Sequence, residues 1–134
     1  MADALSLNEY QWENRLIVAF ADEQSGEAEF LRQWASDKHC ELSDRDVLLF
    51  VIDAKLKNSE QIIYQTNSNK SLDVESINAL SSKRLSTQSS LEILLIGKDG
   101  GLKSRVSTTD ALNGLLKEID SMPMRQREAS YDRC

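Results

Sequence analysis

The segment "RLIVAFA" (Arg15–Ala21) decides the fold class of this chain, because its apolar residues follow one arginine without interruption. Such a run, rich in branched side chains and bounded by polar residues, predicts a β-strand that is covered on both faces. Two other runs have the same character: "VLLFVID" (Val47–Asp53) and "LEILLIG" (Leu91–Gly97), the second broken only by Glu92. The sequence therefore predicts three buried strands.

A fourth strand is predicted at "GLKSRV" (Gly101–Val106), where polar and less polar residues alternate. Lys103 and Arg105 would point to one side, and Leu102, Ser104 and Val106 to the other. This is typical of an edge strand with one face in water. The preceding "GKDGG" (Gly97–Gly101) has the glycines that a tight turn needs. We therefore expect the third and fourth strands to form an antiparallel hairpin.

Three helices are predicted between and after these strands, each from an apolar stripe at helical spacing. The stripe of the first comprises Phe30, Leu31, Trp34 and Ala35. That of the second comprises Val74, Ile77, Leu80 and Leu85. That of the third comprises Leu112, Leu115, Leu116 and Ile119. Residues 54–70 are predicted to be a loop with a possible short strand at "QIIYQT" (residues 61–66).

The resulting order β-α-β-(β)-α-β-β-α constrains the topology. A right-handed crossover makes the first two long strands parallel neighbours, and buried strands need helices on both faces of the sheet. The prediction is an α/β protein: a thioredoxin-like three-layer α/β/α sandwich with a mixed sheet, a C-terminal antiparallel hairpin and a final helix. Residues 1–128 form one domain in this interpretation, and residues 129–134 form a flexible C-terminal tail.

Composition excludes several classes of function. The formal net charge of −6 over 134 residues argues against nucleic-acid binding, which needs a basic surface. No apolar run approaches the roughly 20 residues of a membrane-spanning helix. We expect no cofactor and no metal, a monomer, and an unknown protein or small molecule as the partner. The start "MADALSLNEY" lacks the features of a signal peptide and fits the beginning of a mature exported protein as well as any other.

The thioredoxin-like arrangement suggests thiol redox chemistry, but its working parts are missing. A dithiol oxidoreductase needs a low-pKa cysteine at a helix N-terminus and a second cysteine three residues later. The junction after the first strand, "DEQSGE" (residues 22–27), is acidic and has no cysteine. The residues before Leu91, "STQSS", also lack the proline that opens the corresponding strand in redox members of the fold. We therefore predict that the protein does not exchange dithiols.

Cys40 is the alternative candidate for catalysis, as the nucleophile of a single-cysteine redox or peroxidase-like enzyme. His39 is adjacent in sequence, but neighbours on a loop seldom face each other, so a partly buried structural cysteine is the simpler interpretation. The chain has one other cysteine, Cys134, and the sequence leaves open whether the two pair. A single histidine excludes sites built on a histidine pair and disfavours a hydrolytic triad.

Four segments together resemble a known family: "YQWENRLIVAFA", "SDRDVLLFVID", "LLIGKDGGLKSR" and "IDSMPMRQRE". This is domain of unknown function 4174, found in bacteria and in secreted vertebrate matrix proteins of the coiled-coil-domain-containing protein 80 and sushi-repeat-containing type. The resemblance runs from about Trp12 to Glu128. It implies a thioredoxin-like fold related to peroxiredoxins, export to the periplasm or the extracellular space, and no established activity. The family's marked positions are Trp12, Arg15, Arg45, Asp46, Gly97, Lys98, Asp99, Gly100, Gly101, Asp120, Met122, Pro123, Met124 and Arg125.

The topology predicts that most of these positions meet at one end of the sheet. The first two strands begin there, the third strand and its turn arrive there, and the final helix returns there. We call this the hairpin end. The predicted cluster comprises Arg15, Arg45, Asp46, Lys98, Asp99, Asp120, Met122, Met124 and Arg125.

This cluster has two interpretations, a structural cluster held by arginine–carboxylate bonds or a binding surface. In the structural interpretation Arg15 pairs with Asp46 or Asp120, while Trp12 packs the N-terminal arm onto the sheet. Pro123 stops the final helix, since proline disfavours helical geometry in the residue before it. The segment around it then brings Met122 and Met124 beside the turn and Arg125 near a carboxylate. The preferred function is a non-catalytic binding or structural module.

Overall fold

The computed structural model of the chain describes residues 4–5, 12–21, 26–53, 59–63, 66–68, 71–72, 74–84, 91–123 and 125. Its strands are β1 (Ala4–Leu5), β2 (Arg15–Ala21), β3 (Val47–Asp53), β4 (Ser59–Ile63), β5 (Thr66–Ser68), β6 (Ser71–Leu72), β7 (Leu91–Ile96) and β8 (Leu102–Val106). Its helices are α1 (Glu27–Asp37), α2 (His39–Asp44), α3 (Val74–Ser81) and α4 (Leu112–Asp120), and a 3-10 turn at Thr109–Ala111 leads into α4.

In the described part of the chain, six strands form one mixed sheet in the order β5-β4-β3-β2-β7-β8. β2 pairs in parallel with β3, with Arg15 opposite Val47, and it pairs antiparallel with β7. β7 and β8 are antiparallel neighbours. The predicted parallel pair and the predicted hairpin are both confirmed. A further pair, β1 with β6, is parallel and separate from the main sheet.

The two faces of the central sheet carry separate apolar cores, because successive residues of a strand point to opposite faces. On one face the strands contribute residues such as Ile17 and Leu49, which pack with Leu31 of α1 and Leu115 of α4. The indole Nε1 of Trp34 in α1 donates a hydrogen bond to Asn113 Oδ1 in α4 over 3.2 Å. These contacts join the two helices of this layer.

On the other face Val18, Phe50 and Leu94 pack with Ile77 and Leu80 of α3. Helices therefore cover both faces of the sheet, and the predicted three-layer α/β/α arrangement is confirmed. All four residues of the predicted α4 stripe are buried. Of the α3 stripe, Ile77 and Leu80 are buried, whereas Leu85 and the side chain of Val74 lie outside the described part of the structure.

Strand β8 lies at one edge of the sheet, as its alternating sequence predicts. Lys103 and Arg105 are exposed, whereas Leu102, Ser104 and Val106 are partly buried. Charged side chains on an edge strand discourage pairing with another chain. At the opposite side of the sheet, residues predicted as a loop with one possible strand contain β4 and β5, each antiparallel to its neighbour.

The predicted stripe of α1 is wrong at Phe30, whose side chain is 50% exposed. The buried residues of this helix are Ala28, Leu31, Trp34 and Ala35. Adjacent helical residues differ in direction by about 100°, so Phe30 points well away from Leu31. Ala28 is part of the buried stripe, and Phe30 is not. The side chain of Ala28 is small and only weakly hydrophobic, so the sequence gave little indication of its burial.

Helix α2 was not predicted, because its residues "HCELSD" contain only one strongly apolar side chain, Leu42. Leu42 is buried against the core that α1 and α4 share. The helix connects α1 to β3 and so directs the chain to the hairpin end. No helix among the residues that the structure describes is both long and apolar enough to cross a bilayer.

The contrast between Leu31 and Phe30 gives a test of this packing. Leu31→Ala should lower the free energy of unfolding by about 2–5 kcal/mol, since it leaves a cavity in a fully buried position. Phe30→Ala, at the adjacent and half-exposed position, should change it by less than about 1 kcal/mol. Urea unfolding followed by circular dichroism measures both values. Equal losses in the two variants would contradict the orientation of α1.

Candidate functional site

Arg15 begins β2 at the hairpin end and is only 1% exposed. Its Nη1 donates a hydrogen bond to the carbonyl oxygen of Arg45 over 2.8 Å, and its backbone N–H donates to the carbonyl oxygen of Asp46 over 2.9 Å. Asn14 also donates to that carbonyl, from Nδ2 over 3.3 Å. The start of β2 is thereby joined to the residues that open β3.

Arg45 connects the start of β3 to the end of α4. Its Nε and Nη2 each donate to a different carboxylate oxygen of Asp120 over 2.9 Å, which is the bidentate geometry that a guanidinium favours. Its Nη1 donates to the carbonyl oxygen of Glu41 in α2 over 2.9 Å. One side chain therefore fixes three elements relative to one another.

Arg125 lies beyond the end of α4 and reaches the same carboxylate from the other direction. Its Nε donates to Asp120 Oδ1 over 3.3 Å. Its Nη2 donates to Asp44 Oδ2 over 2.6 Å, and its Nη1 to the carbonyl oxygen of Asp44 over 2.9 Å. Burial disfavours the charged guanidinium, but the hydrogen bond and charge of Asp44 outweigh it and raise the pKa of Arg125. The Asp44 and Arg125 side chains are 7% and 11% exposed, so this is the more buried of the arginine pairs.

Asp46 forms the contact between α2 and the hairpin turn. Its backbone has a φ of 54°, in the left-handed region that aspartate tolerates better than most residues. Its carboxylate accepts a hydrogen bond from Lys98 Nζ over 2.9 Å. The Lys98 side chain is 9% exposed and the Asp46 side chain 50%. The pair therefore lies at the boundary between the interior and solvent.

The hairpin turn is closed by its own backbone and by Asp99. The N–H of Gly97 donates to the carbonyl oxygen of Gly101 over 2.9 Å, and Gly100 has a φ of 85°, which glycine adopts at little cost. Asp99 accepts from the Gly101 N–H and from Lys103 Nζ, both over 2.9 Å. These bonds, that of the Gly101 N–H first, lower the pKa of Asp99.

A cavity of about 530 Å³ lies between this turn and the end of α4. Its charged lining consists of three cations, Arg15, Lys98 and Lys103, and two carboxylates, Asp99 and Glu118. The remaining lining residues are Gly97, Ser121, Met122 and Pro123. Met122 is partly buried and packs against the core shared by α1 and α4. The cavity is thus polar on its strand side and partly apolar near the end of the helix.

The structure brings eight of the nine predicted cluster residues to the hairpin end, and Met124 lies outside the described residues. Arg125 meets carboxylates as predicted, and α4 ends at Asp120, before Pro123. Asp46 and Asp120 were the predicted partners of Arg15. Asp46 accepts a hydrogen bond from Lys98, and Asp120 accepts hydrogen bonds from Arg45 and Arg125.

The prediction for Trp12 is wrong. Its side chain is 61% exposed, while its backbone N–H donates to the carbonyl oxygen of Lys98 over 2.6 Å. Its φ of 72° is unusual for a bulky residue. Trp12 is therefore held to the turn through its backbone, and the indole projects into solvent at the hairpin end.

Four residues of this region were not predicted from the sequence: Asp44, Lys103, Glu118 and Ser121. Asp44 ends α2, and without that helix its carboxylate could not be placed. Glu118 lies in the last turn of α4, two residues before the predicted cluster residue Asp120, and this proximity is a signal that could have been used. Lys103 follows the turn on the edge strand, and it was assigned only to the solvent side.

The end of the fold where thioredoxins carry out their chemistry looks different. Helix α1 begins after Gly26, whose φ is 80°, and carries Glu27 and Glu29 in its first turn. Cys40 is not at that end, because it lies in α2, which follows α1 towards the hairpin end. It is disulfide-bonded, and its neighbour His39 places Nδ1 3.1 Å from the carbonyl oxygen of Ser36. Cys134 lies outside the described residues. Among the described residues, no group of three or more histidine, cysteine or acidic side chains could hold a metal ion.

Comparison with known proteins shows the family and the fold of the chain. The model of the family "Domain of unknown function (DUF4174)" matches residues 6–128, and the chain therefore belongs to that family. No curated protein matches the chain. Among solved structures, the thioredoxin peroxidase I of Plasmodium yoelii is similar, with 14% sequence identity and a TM-score of 0.58. The match covers 96% of this chain and 83% of that one, and it confirms the thioredoxin-like fold.

The Arg45–Asp120 pair gives a test of the structural role of the cluster. Arg45→Ala should lower the free energy of unfolding by about 1–2 kcal/mol, since it breaks a bidentate pair and a bond to Glu41, with Asp120 half in solvent. Arg45→Lys, which cannot donate two parallel bonds, should recover only part of this. Removing an exposed helical pair with Arg32→Ala should cost no more than about 0.5 kcal/mol. Chemical denaturation measures all three, and an unchanged Arg45→Ala protein would contradict the structural role.

The same pair makes stability depend on pH. The hydrogen bond from Arg45 lowers the pKa of Asp120 below its ordinary value of 3.8, with smaller help from Arg125 and against some burial. The Asp120 carboxyl binds its proton less readily in the folded state than in the unfolded state. The pair therefore stabilises the fold fully above the pKa of the unfolded state, and this stabilisation is lost as the pH falls through the lower pKa of the folded state. Asp120→Asn should therefore be less stable than the parent at neutral pH, and the difference should shrink below about pH 4.

Urea denaturation from about pH 7 down to about pH 2 measures this difference, and carbon-detected titration of the Asp120 carboxyl gives its pKa directly. The pKa should rise towards 3.8 in Arg45→Ala. A stability difference that stays constant throughout the acid range would contradict the linkage.

Proposed function

We propose that this member of the DUF4174 family is a non-catalytic binding module that holds a ligand in the hairpin-end cavity. The observation that carries the proposal is the cavity itself, lined by Arg15, Lys98 and Met122 and bounded by residues of the ion-pair cluster. Its volume of about 530 Å³ falls in the range of small-molecule sites, which combine apolar walls with a few placed polar groups.

The ion pairs beside the cavity support this role because they fix its walls before a ligand arrives. Arg45 and Arg125 both bind Asp120 at the end of α4, and Lys98 binds Asp46 at the start of β3. A site that is already formed loses less conformational entropy on binding. The exposed indole of Trp12 lies at the same end, and tryptophan is enriched at binding surfaces.

The alternative, a redox or peroxidase-like enzyme that uses Cys40, has less support. Its chemistry needs a reactive thiolate, and Cys40 is disulfide-bonded. The positive end of α1, where such a thiolate would be stabilised, carries Glu27 and Glu29 instead. The similarity to a peroxidase, at 14% sequence identity, is one of fold alone.

The same observations support export and a monomeric state as parts of the proposal. A disulfide persists in the periplasm and outside the cell, whereas thiols in the cytosol are kept reduced. In the described part of the chain, the exposed large hydrophobic side chains are Trp12 and Phe30, which lie on different elements. Single exposed residues of this kind are normal on a monomer and mark no large apolar patch. The net charge of −6 supports a partner other than nucleic acid.

The proposal is tested by screening neutral, cationic and anionic organic fragments against the ¹⁵N-labelled protein. Binding in the cavity should shift the amide signals of Gly97, Lys98 and Ser121 and leave those of α1 unchanged. Ser121→Trp should block binding, since Ser121 lines the cavity.

Ser82→Trp is the matched control, because Ser82 directly follows α3 and its hydroxyl donates to the carbonyl oxygen three residues earlier, as the Ser121 hydroxyl does after α4. It should bind as the parent does. The protein should consume no peroxide, either as the parent or as Cys40→Ser. Absence of any cavity binding, or turnover of peroxide that disappears in Cys40→Ser, would overturn the proposal.

A further inference from the structure

We infer that the ligand of the hairpin-end cavity is a monocarboxylate with an apolar body, an inference that rests on the function proposed above. The charged lining favours an anion. Arg15, Lys98 and Lys103 contribute three positive charges, and Asp99 and Glu118 contribute two negative charges to the lining. Asp46, which binds Lys98 from outside the lining, offsets the remaining charge, so the charges of the site balance within a protein of net charge −6. A balanced site repels an anion less than the acidic remainder of the protein does.

Burial strengthens this preference. Arg15 is 1% exposed and Lys98 is 9% exposed, so water screens their charges less than it would screen those of surface residues. Both are also held in place, Arg15 by the carbonyl oxygen of Arg45 and Lys98 by the carboxylate of Asp46. A carboxylate that enters the cavity meets cations whose positions are already fixed.

The apolar part of the lining lies at the end of α4. Met122 packs partly against the core, and Pro123 follows it. Methionine adapts its unbranched side chain to the shape of a neighbour, so it suits an aliphatic ligand group. An ion as small as chloride would leave this surface in contact with water, whereas an organic acid covers it.

Glu118 determines which way such a ligand points. It lies in the last turn of α4, so it lines the helix side of the cavity with a negative charge. The ligand carboxylate is therefore expected at Lys98 and Lys103 on the strand side, where it competes with Asp99 for Lys103, and the apolar body at Met122. A second carboxylate at the far end of the ligand would meet Glu118, so dicarboxylates should be rejected.

Two sources supply this chemistry, a free organic acid and the C-terminal residue of a peptide. Both present one carboxylate attached to an apolar group. The cavity volume of about 530 Å³ accommodates either of them. The experiment therefore has one arm for each source.

The first arm compares four probes of one chain length: heptanoate, heptanol, heptylamine and heptanedioate. Heptanoate should bind about tenfold more tightly than heptanol, which corresponds to one charge-assisted hydrogen bond, and more tightly than the amine and the dicarboxylate. Amide shifts at Lys98, Lys103 and Met122 report the site, and calorimetry reports the affinity. The preference for heptanoate over heptanol should shrink in high salt.

Lysine variants test the assigned contacts. Lys103→Met should weaken heptanoate binding about tenfold and leave heptanol binding unchanged. Lys98→Met should do the same. Lys98 is buried, so its variant could fail to fold, whereas the side chain of Lys103 is more exposed and Lys103→Met still gives a result in that case. Lys117→Met, on the exposed side of α4, is the matched control and should bind as the parent does. Glu118→Gln should improve heptanedioate binding.

The second arm compares N-acetyl-alanyl-leucine with its C-terminal amide. Binding of the acid but not the amide, more tightly than heptanoate, identifies a peptide C-terminus as the source, and tighter binding of heptanoate identifies a free acid. Equal binding of heptanoate and heptanol in the cavity would overturn the inference and leave the proposed binding function intact. Absence of cavity binding by every fragment and probe would overturn both.

Discussion

The parallel pairing of β2 with β3 is the constraint on which the rest of the structure depends. With Arg15 opposite Val47, both strands begin at the same end of the sheet, and the chain between them must cross one face before it returns there. Helix α1 makes that crossing and α2 brings the chain to the start of β3. The residues just before β3, from Asp44 to Asp46, are therefore delivered next to Arg15. Without that pairing the arginines and carboxylates of the hairpin end would have no reason to meet.

The ion pairs then close the structure at the end where the elements converge. Asp120 at the end of α4 accepts from Arg45 at the start of β3 and from Arg125 beyond the helix, and Asp44 binds Arg125 in turn. Each carboxylate thus joins segments that lie far apart in the sequence. The pairs thereby hold the start of β3 against the end of α4, which contributes to the cavity wall. The cations that line the cavity are Arg15 at the start of β2, Lys98 in the turn and Lys103 on the edge strand.

The sequence was sufficient for the central strands, since continuous apolar runs such as "RLIVAFA" fit few structures other than buried strands. It was also sufficient for the grouping at the hairpin end, because strand order and direction place residues without any knowledge of side-chain geometry. It failed where local signals are weak or misleading. Helix α2 has only Leu42 to bury, and Asp44 was missed with it, while Phe30 was assigned to the core on its hydrophobicity alone. The cavity could not be predicted, because its volume depends on the distance between the turn and α4.

The two ends of the fold use their charges for different purposes. At the N-terminus of α1, where a thiolate would be stabilised in a redox protein, Glu27 and Glu29 interact favourably with the positive end of the helix dipole. Those carboxylates stabilise the helix, and they would raise the pKa of any thiol nearby. The hairpin end instead gathers buried cations and their carboxylate partners beside an apolar surface. The same thioredoxin-like scaffold thus groups its charged side chains at the end opposite to the one that thiol exchange requires.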